Sequence, residues 1–267
     1  MGIYFTDNSF NELQINPFDN RNKYDNDWVM FKLLDVASYM QYTGCGDGRV
    51  FQLIITKEYA NWEYKLFDFI QYETSCGLNI ILAVNEEDYI TAQKIYSGHN
   101  YMDNYLRFYE KRILVHSTSK ESYTSIKLDG CLKSWNELKR EKVINDDEPI
   151  GKLLRDPMDY SDYIMFSNGG NSAERVVSSR QKGYIEMDLD KPYIAGARLY
   201  FDCKKIAEDG LLVRDGAHLK VKTKLPLENY LIWSANPDVL GISDETTPRI
   251  FAEKADRMFE ELFNIQL

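Results

Sequence analysis

The residues best placed to do chemistry are a histidine and two hydroxyl side chains at the end of a short apolar run. The run Arg112-Ile-Leu-Val-His116-Ser117-Thr118 predicts a strand that delivers His116 into a polar turn. Imidazole and hydroxyl groups can hydrogen-bond to the hydroxyls of a polar ligand. A histidine at a strand end can equally be a structural residue whose hydrogen bonds stay within the protein. This motif by itself therefore leaves both roles open.

Further polar groups follow in strand-like surroundings. Residues 162–167, Asp-Tyr-Ile-Met-Phe-Ser, predict a strand that ends in a hydroxyl. Residues 197–210 predict a strand, a helical turn capped by Asp202 and a glycine stop. Residues 215–218, Asp-Gly-Ala-His, come next, and residues 225–231 then read Leu-Pro-Leu-Glu-Asn-Tyr-Leu.

In this order, the segments resemble the ADP-ribosyltransferase fold. The His-x-Thr strand end, with the helix that closes in Ile126-Lys-Leu-Asp-Gly130-Cys-Leu132, is similar to the first strand and helix of that fold. Residues 197–231 look like the C-terminal half of the RNA 2′-phosphotransferase family, and the DNA-targeting ADP-ribosyltransferase toxins have a similar ending. The resemblance extends over residues 112–232 and does not include residues 1–110.

The resemblance implies a split, mostly antiparallel sheet with NAD as the cofactor. His116 would hydrogen-bond to the ribose beside the nicotinamide, and Tyr163 or a nearby aromatic ring would stack on the nicotinamide. Asp215 or His218 would face the acceptor. The implied cofactor-binding residues are His116, Ser117, Thr118, Tyr163, Ser167 and Arg198, and the implied catalytic residues are His116, Asp215 and His218.

The implied activity is transfer of ADP-ribose from NAD to a nucleic acid or a protein. Many ADP-ribosyltransferases carry a catalytic glutamate on a later strand, where this sequence offers Asp215 and His218 instead. The alternative is a non-catalytic module of the same fold that recognises a nucleotide or a protein partner. No metal site is expected, because the four cysteines lie far apart and form no Cys-x-x-Cys pair.

The elements before residue 110 suggest a small α/β unit. Residues 49–56 and 78–84 predict strands, and residues 58–74 and 85–96 predict helices. Helices are also predicted over Trp28–Met40 and Met102–Tyr109. The glycine-rich run Thr43-Gly-Cys-Gly-Asp-Gly48 resembles a dinucleotide-binding loop, but it does not lead from a strand into a helix and so favours a turn.

The rest of the chain predicts a second domain of mixed helices and strands. The predicted helices are 120–128, 135–140 and an amphipathic closing helix over 247–263, and the predicted strands include 163–167, 183–187, 198–202, 218–222 and 230–234. The expected fold class is α+β, with domains 1–110 and 111–267. No Gly- or Pro-rich linker separates the two domains, so they are expected to pack together.

Composition sets limits on the partners. The 267 residues include 32 Lys and Arg against 42 Asp and Glu, a formal charge of −10. This balance disfavours wholesale electrostatic binding to DNA or RNA, although it allows a local basic groove. The sequence contains neither a spanning apolar run of ~18 residues nor the pattern of a signal peptide at its start. We therefore expect no membrane partner, free thiols and a cytoplasmic location.

Overall fold

The computed structural model describes residues 1–36, 40–145 and 148–267, which divide into two units. The first unit comprises Met1–Asp103, Leu154–Tyr160 and Val213–His218, and the second comprises Asn104–Leu153, Ser161–Leu212 and Leu219–Leu267. The boundary expected near residue 110 lies a few residues beyond the observed one. The two later segments of the first unit were not predicted, and they place Asp215 and His218 in that unit rather than in the second domain.

The strands are β1 (Ile3–Thr6), β2 (Trp28–Leu34), β3 (Met40–Thr43), β4 (Phe51–Thr56), β5 (Asn79–Ala83), β6 (Ile113–Thr118), β7 (Cys131–Lys133), β8 (Tyr163–Met165), β9 (Tyr193–Ile194), β10 (Ala197–Asp202), β11 (Leu212–Arg214), β12 (Leu219–Lys222), β13 (Lys224–Pro226), β14 (Leu231–Ala235) and β15 (Glu245–Thr246).

The helices are α1 (Trp62–Ser75), α2 (Glu86–Tyr96), α3 (Lys120–Asp129), α4 (Trp135–Arg140), α5 (Gly151–Leu154), α6 (Ser172–Lys182), α7 (Cys203–Glu208), α8 (Leu227–Tyr230), α9 (Pro237–Leu240) and α10 (Pro248–Phe263). A 3₁₀ turn covers Met158–Asp162.

The first unit is built on a five-stranded sheet in the order β1-β5-β2-β4-β3. The first four strands in this order run parallel, and β3 pairs antiparallel with β4 at the edge. α1 connects β4 to β5, because parallel strands need a crossover. The predicted strand-helix-strand-helix order over residues 49–96 is confirmed. The glycine-rich run at 43–48 forms the connection between β3 and β4.

The helix predicted over Trp28–Met40 is wrong, since Trp28–Leu34 forms the central strand β2. The first six residues of β2 are buried, as expected of a strand covered on both faces in a parallel sheet. A continuous apolar run of this kind has no period-two alternation, and its apolar positions also fit helical spacing. Residues 37–39 of the predicted helix lie outside the described residues.

Two shorter predictions are also wrong. Met102–Tyr109 contains turns, and residues 183–187 are irregular. In both segments a carboxylate side chain bonds to nearby backbone. Glu110 accepts from the N–H of Arg107 at 2.9 Å, and Glu186 accepts at 2.9 Å from the N–H two residues further on. Such local bonds compete with helix and strand formation.

The second unit is built on antiparallel pairs. β10 lies between β6 and β14, and the other pairs are β8 with β12, β7 with β13 and β9 with β15. An isolated bridge between Val115 and Ser167 joins β6 to the chain that leaves β8. The helices predicted over 120–128, 135–140 and 247–263 are confirmed, and so is the α+β class.

Alternate residues of the β6 and β10 strands enter two different cores, as the period of two requires. Leu114 and Leu199 belong to one cluster. Val115 and Tyr200 belong to the other, where the Tyr200 ring stacks on Phe259 of α10 at 4.3 Å between centroids. The two faces of β6 therefore have different neighbours.

We expect Gly196→Ala to lower the free energy of unfolding by about 1–3 kcal/mol or more. A Cβ at Gly196 would lie 2.0 Å from the Thr118 carbonyl oxygen, so the backbone of β6 would have to move. The control is Gly210→Ala, where φ is +70° and nothing lies within 4 Å of the added Cβ. Its cost should be limited to backbone strain, about 1 kcal/mol. Urea unfolding measures both, and equal losses would contradict the close approach.

Candidate functional site

His116 occupies the fourth position of β6, and one side of its ring is held by the protein. Nδ1 lies 3.2 Å from the Met165 carbonyl oxygen, which can only accept, so Nδ1 carries the proton and donates a hydrogen bond to that oxygen. Burial lowers the pKa of His116, so the imidazole is neutral near pH 7. Nε2 is then an acceptor, and it has no hydrogen-bond partner within residues 1–36, 40–145 and 148–267.

The register of β6 places Thr118 on the same face as His116, and Ser117 on the opposite face. His116 lies opposite Leu199, which in turn lies opposite Ser234 of β14. Ser117 instead donates a hydrogen bond to the Glu174 carboxylate of α6. The resemblance implies that Ser117 and Thr118 both hold the cofactor, and the structure places only Thr118 beside the open edge of His116.

The chain that leaves β8 brings an aromatic ring next to His116 and turns the Ser167 side chain to the opposite face of β6, since Ser167 is bridged to Val115. Ser167 exchanges two backbone hydrogen bonds with Val115, at 2.8 and 2.9 Å. Its Oγ is buried and has no hydrogen-bond partner in the part of the chain that the structure describes. Phe166 meets the His116 ring edge-on, with 6.1 Å between centroids.

Tyr163, the aromatic residue expected to stack on nicotinamide, has a different neighbour. Alternation along β8 points Tyr163 to the face opposite Phe166. The Lys220 ammonium lies 4.4 Å from the centroid of the Tyr163 ring, a cation–π distance. The aromatic ring beside His116 is therefore Phe166 rather than Tyr163.

Arg198 is fully buried, and its guanidinium binds other protein groups. Nε and Nη2 donate to the two carboxylate oxygens of Asp256, at 2.8 and 2.9 Å. Nη2 also donates to the Gly170 carbonyl oxygen at 2.8 Å, and Nη1 lies 3.4 Å from Glu174. The resemblance assigns Arg198 to the cofactor site, whereas its observed contacts give it a structural role that joins β10 to α6 and α10.

Glu174 is the residue of this region that the sequence analysis missed. Only 1% of its surface is exposed, and it accepts hydrogen bonds from Ser117 and, at 2.7 Å, from the Tyr193 hydroxyl. Burial raises the pKa of Glu174, while Arg198 opposes that shift. The only sequence signal was a carboxylate in the first turn of a helix that follows two glycines. Ser117 lies 57 residues away, so no local pattern could have paired them.

A groove of about 540 Å³ begins one residue beyond Thr118. It is lined by Ser119, Lys120 and Glu121 at the start of α3, Gln181 and Lys182 at the end of α6, and Pro192, Tyr193, Ile194 and Glu245. This volume is in the range of small-molecule sites, roughly 300–1,000 Å³. Lys120 is paired with Asp244 at 2.7 Å, and Lys182 with Glu186 at 3.1 Å, so both lysine charges are balanced.

Asp215 and His218 lie close together in the first unit. His218 Nδ1 is 3.4 Å from Asp215 Oδ2, and Asp215 is 2% exposed. The His218 ring meets the edges of Tyr42 and Tyr160, each at 5.3 Å between centroids. Asp156 faces the same cluster, and burial raises the pKa of its carboxyl to about 6, although the His218 charge opposes the shift.

Comparisons with protein-family models, curated proteins and solved structures find no match to this chain. Within the described residues, no group of three or more His, Cys, Asp and Glu side chains could hold a metal ion. Over the same residues, every helix is too short or too polar to cross a bilayer.

We expect Arg198→Ala to destabilise the second unit by about 3–5 kcal/mol, because it leaves the buried Glu174 carboxylate and the partly buried Asp256 carboxylate without their cation. The control is Arg249→Ala, which removes a surface pair with Asp190 at 2.7 Å. That exposed pair should contribute about 0.2–1 kcal/mol. Chemical denaturation with a helical circular-dichroism signal measures both losses. A loss at Arg198 no larger than that at Arg249 would rule out a structural role for the buried network.

Asp156→Asn is expected to stabilise the first unit above pH 6 by roughly 1–3 kcal/mol. The folded pKa of about 6 exceeds the unfolded value of 3.8, so the native carboxyl favours folding below pH 3.8 and loses that advantage as the pH rises through 6. The gain from asparagine should therefore vanish by about pH 4. Asp47→Asn, a change at an exposed carboxylate, is the control. Melting temperatures from pH 4 to 8 measure the gain in stability of each variant. A gain in Asp156→Asn that does not depend on pH would contradict a raised pKa at Asp156.

Proposed function

We propose that the second unit binds NAD and transfers its ADP-ribose group to a nucleic acid or a protein. The observation that carries this proposal is His116, whose Nδ1 is held by the Met165 carbonyl oxygen while Nε2 is open on the face that bears Thr118. The proposal is also supported by the resemblance of residues 112–232 to ADP-ribosyltransferases.

The side chains on this face fit the ribose and nicotinamide of NAD. A neutral Nε2 can accept a hydrogen bond from a ribose hydroxyl, and the Thr118 hydroxyl can donate or accept. Phe166 supplies the aromatic contact expected for the nicotinamide ring.

In this transfer the bond between ribose C1′ and the nicotinamide nitrogen breaks, and its electron pair leaves with nicotinamide. The acceptor's nucleophile forms a bond to C1′ and loses its proton. The chain's own contribution is orientation: His116 and Thr118 hold the ribose so that the acceptor approaches in line. These groups are uncharged, so they position the ribose without adding a fixed charge beside C1′.

A second candidate is a non-catalytic module of the same fold that recognises a nucleotide or a protein partner. The observation that favours it is Glu174. This carboxylate binds the Ser117 side of β6, opposite the His116 face, and is ion-paired with buried Arg198. A carboxylate held in this way is not available to assist a transfer at His116. The two candidates share the His116 site and differ in turnover.

His116→Asn and His116→Gln separate the structural bond of His116 from its ligand bond. The asparagine amide can still donate to Met165 but cannot reach the position of Nε2, so NAD binding should weaken about three- to tenfold with little change in melting temperature. The glutamine amide reaches further and should restore part of the affinity. Isothermal titration of the full chain with NAD measures both. Affinity should be the same from pH 8 to pH 6.5, because the lowered pKa keeps the imidazole neutral over that range.

The matched control is Ser117→Ala, on the opposite face of the same strand. It should lower stability by about 0.5–1.5 kcal/mol, since Glu174 loses a donor, and should leave NAD affinity unchanged. An absence of heat at millimolar NAD would refute both NAD transfer and NAD recognition. If NAD binds, nicotinamide release in the presence of DNA, RNA or protein acceptors supports transfer. Binding without release supports the non-catalytic module.

A further inference from the structure

The turn at residues 215–218 holds a histidine in a fixed orientation within the first unit. Asp215 Oδ1 accepts hydrogen bonds from the N–H groups of Ala217 and His218, at 2.9 and 2.6 Å. The Asp215 N–H donates back to the His218 carbonyl oxygen at 3.3 Å. One carboxylate oxygen therefore closes the turn, and the other, Oδ2, faces the imidazole.

Gly216 seats this turn on α1. Its φ is +86°, and an added Cβ would lie 2.6 Å from the Lys65 carbonyl oxygen and 2.9 Å from Phe69 Cβ. The Lys65 ammonium also donates to the Gly216 carbonyl oxygen at 3.2 Å. Only glycine combines this conformation with this close approach. The backbone that carries His218 is therefore attached to a helix and does not depend on a free loop.

The His218 ring is held by aromatic contacts on both its sides. The edge-on contacts with Tyr42 and Tyr160 set the plane of the ring. Nδ1 is buried and lies 3.4 Å from Asp215 Oδ2 without a hydrogen bond, while the side chain as a whole is 19% exposed. Because Nδ1 is buried, Nε2 is the nitrogen left to meet a ligand.

The ionisable groups around His218 determine what it could act on. They are Asp215 in its own turn, Asp156 and Tyr160 in the segment 154–160, and Tyr42 on β3. Two carboxylates at this place repel a phosphate and favour an uncharged or cationic ligand.

We propose that His218 is the general base of an acid–base site in the first unit, with Asp215 as its positioning residue. The substrate would be an uncharged or cationic compound that is attacked by water or by its own hydroxyl. In the step, Nε2 takes the proton of that O–H, the O–H electron pair stays on oxygen, and this oxygen becomes the nucleophile. Asp215 stabilises the imidazolium until the proton passes to the leaving group or to solvent. The inference is independent of NAD binding by the second unit.

The probe is hydrolysis of p-nitrophenyl acetate by the full chain. Water gives its proton to Nε2, the hydroxide adds to the acetyl carbon, and p-nitrophenolate leaves. We expect His218→Gln to lower kcat/KM at least tenfold, and Asp215→Asn to lower kcat about tenfold at unchanged KM. His99→Gln is the matched control, since His99 also lies beside a carboxylate, Asp103, at 3.1 Å. This variant should hydrolyse the ester at the parent rate.

The same rate in His218→Gln as in the parent would overturn the proposal, and so would a loss in Asp215→Asn that lies in KM and leaves kcat unchanged. If either variant fails to fold, acylation of the parent chain with diethyl pyrocarbonate decides, with peptide mass spectrometry as the readout. His218 should react fastest of the three histidines, and faster acylation of His99 or His116 would overturn the assignment. The ester assay contains no NAD and the NAD titration contains no ester, so failure of the NAD proposal and failure of this one are distinguishable.

Discussion

The buried guanidinium of Arg198 must find partners for its donors, because an unpaired charge at zero exposure would cost several kcal/mol. It finds them on three different segments: Asp256 of α10, Glu174 of α6 and the carbonyl oxygen of Gly170 in the loop between β8 and α6. Each of these segments is thereby tied to β10. The loop cannot move without breaking a charge-assisted bond, and Ser167 lies at its start.

The Arg198 network affects the candidate site at His116 because the two lie on opposite faces of β6. Ser117 bonds to Glu174 and so joins the charged network on one face, while His116 and Thr118 present neutral groups on the other. Because the charged groups behind Ser117 are paired with each other, the side chains of β6 offer a ligand only hydrogen bonds. At the proposed NAD site these groups would therefore act by position, and any charge needed for group transfer would have to come from elsewhere.

The chain holds three histidines, and each has a different partner. His99 lies 3.1 Å from Asp103 and has its other nitrogen 3.5 Å from the Tyr64 hydroxyl. His116 donates to a carbonyl oxygen, and burial lowers the pKa of this imidazole. His218 has a buried carboxylate on one side and an open nitrogen on the other. The neighbour of Nδ1 is therefore a carbonyl oxygen at His116 and a carboxylate at His99 and His218.

The amino-acid sequence by itself determined the α+β class, the strand that ends at His116 and the closing helix, because these depend on local periodicity and capping. It also predicted the α/β order of residues 49–96. It failed at β2, where burial on both faces removes the alternation that marks a strand. Only the tertiary structure decided which side of β6 each residue faces. It also decided that the Arg198 guanidinium is paired with Asp256, and that the segment of Asp215 and His218 belongs to the first unit. These outcomes depend on pairings between residues more than fifty positions apart, which arise when strands and helices pack and leave no trace in local spacing.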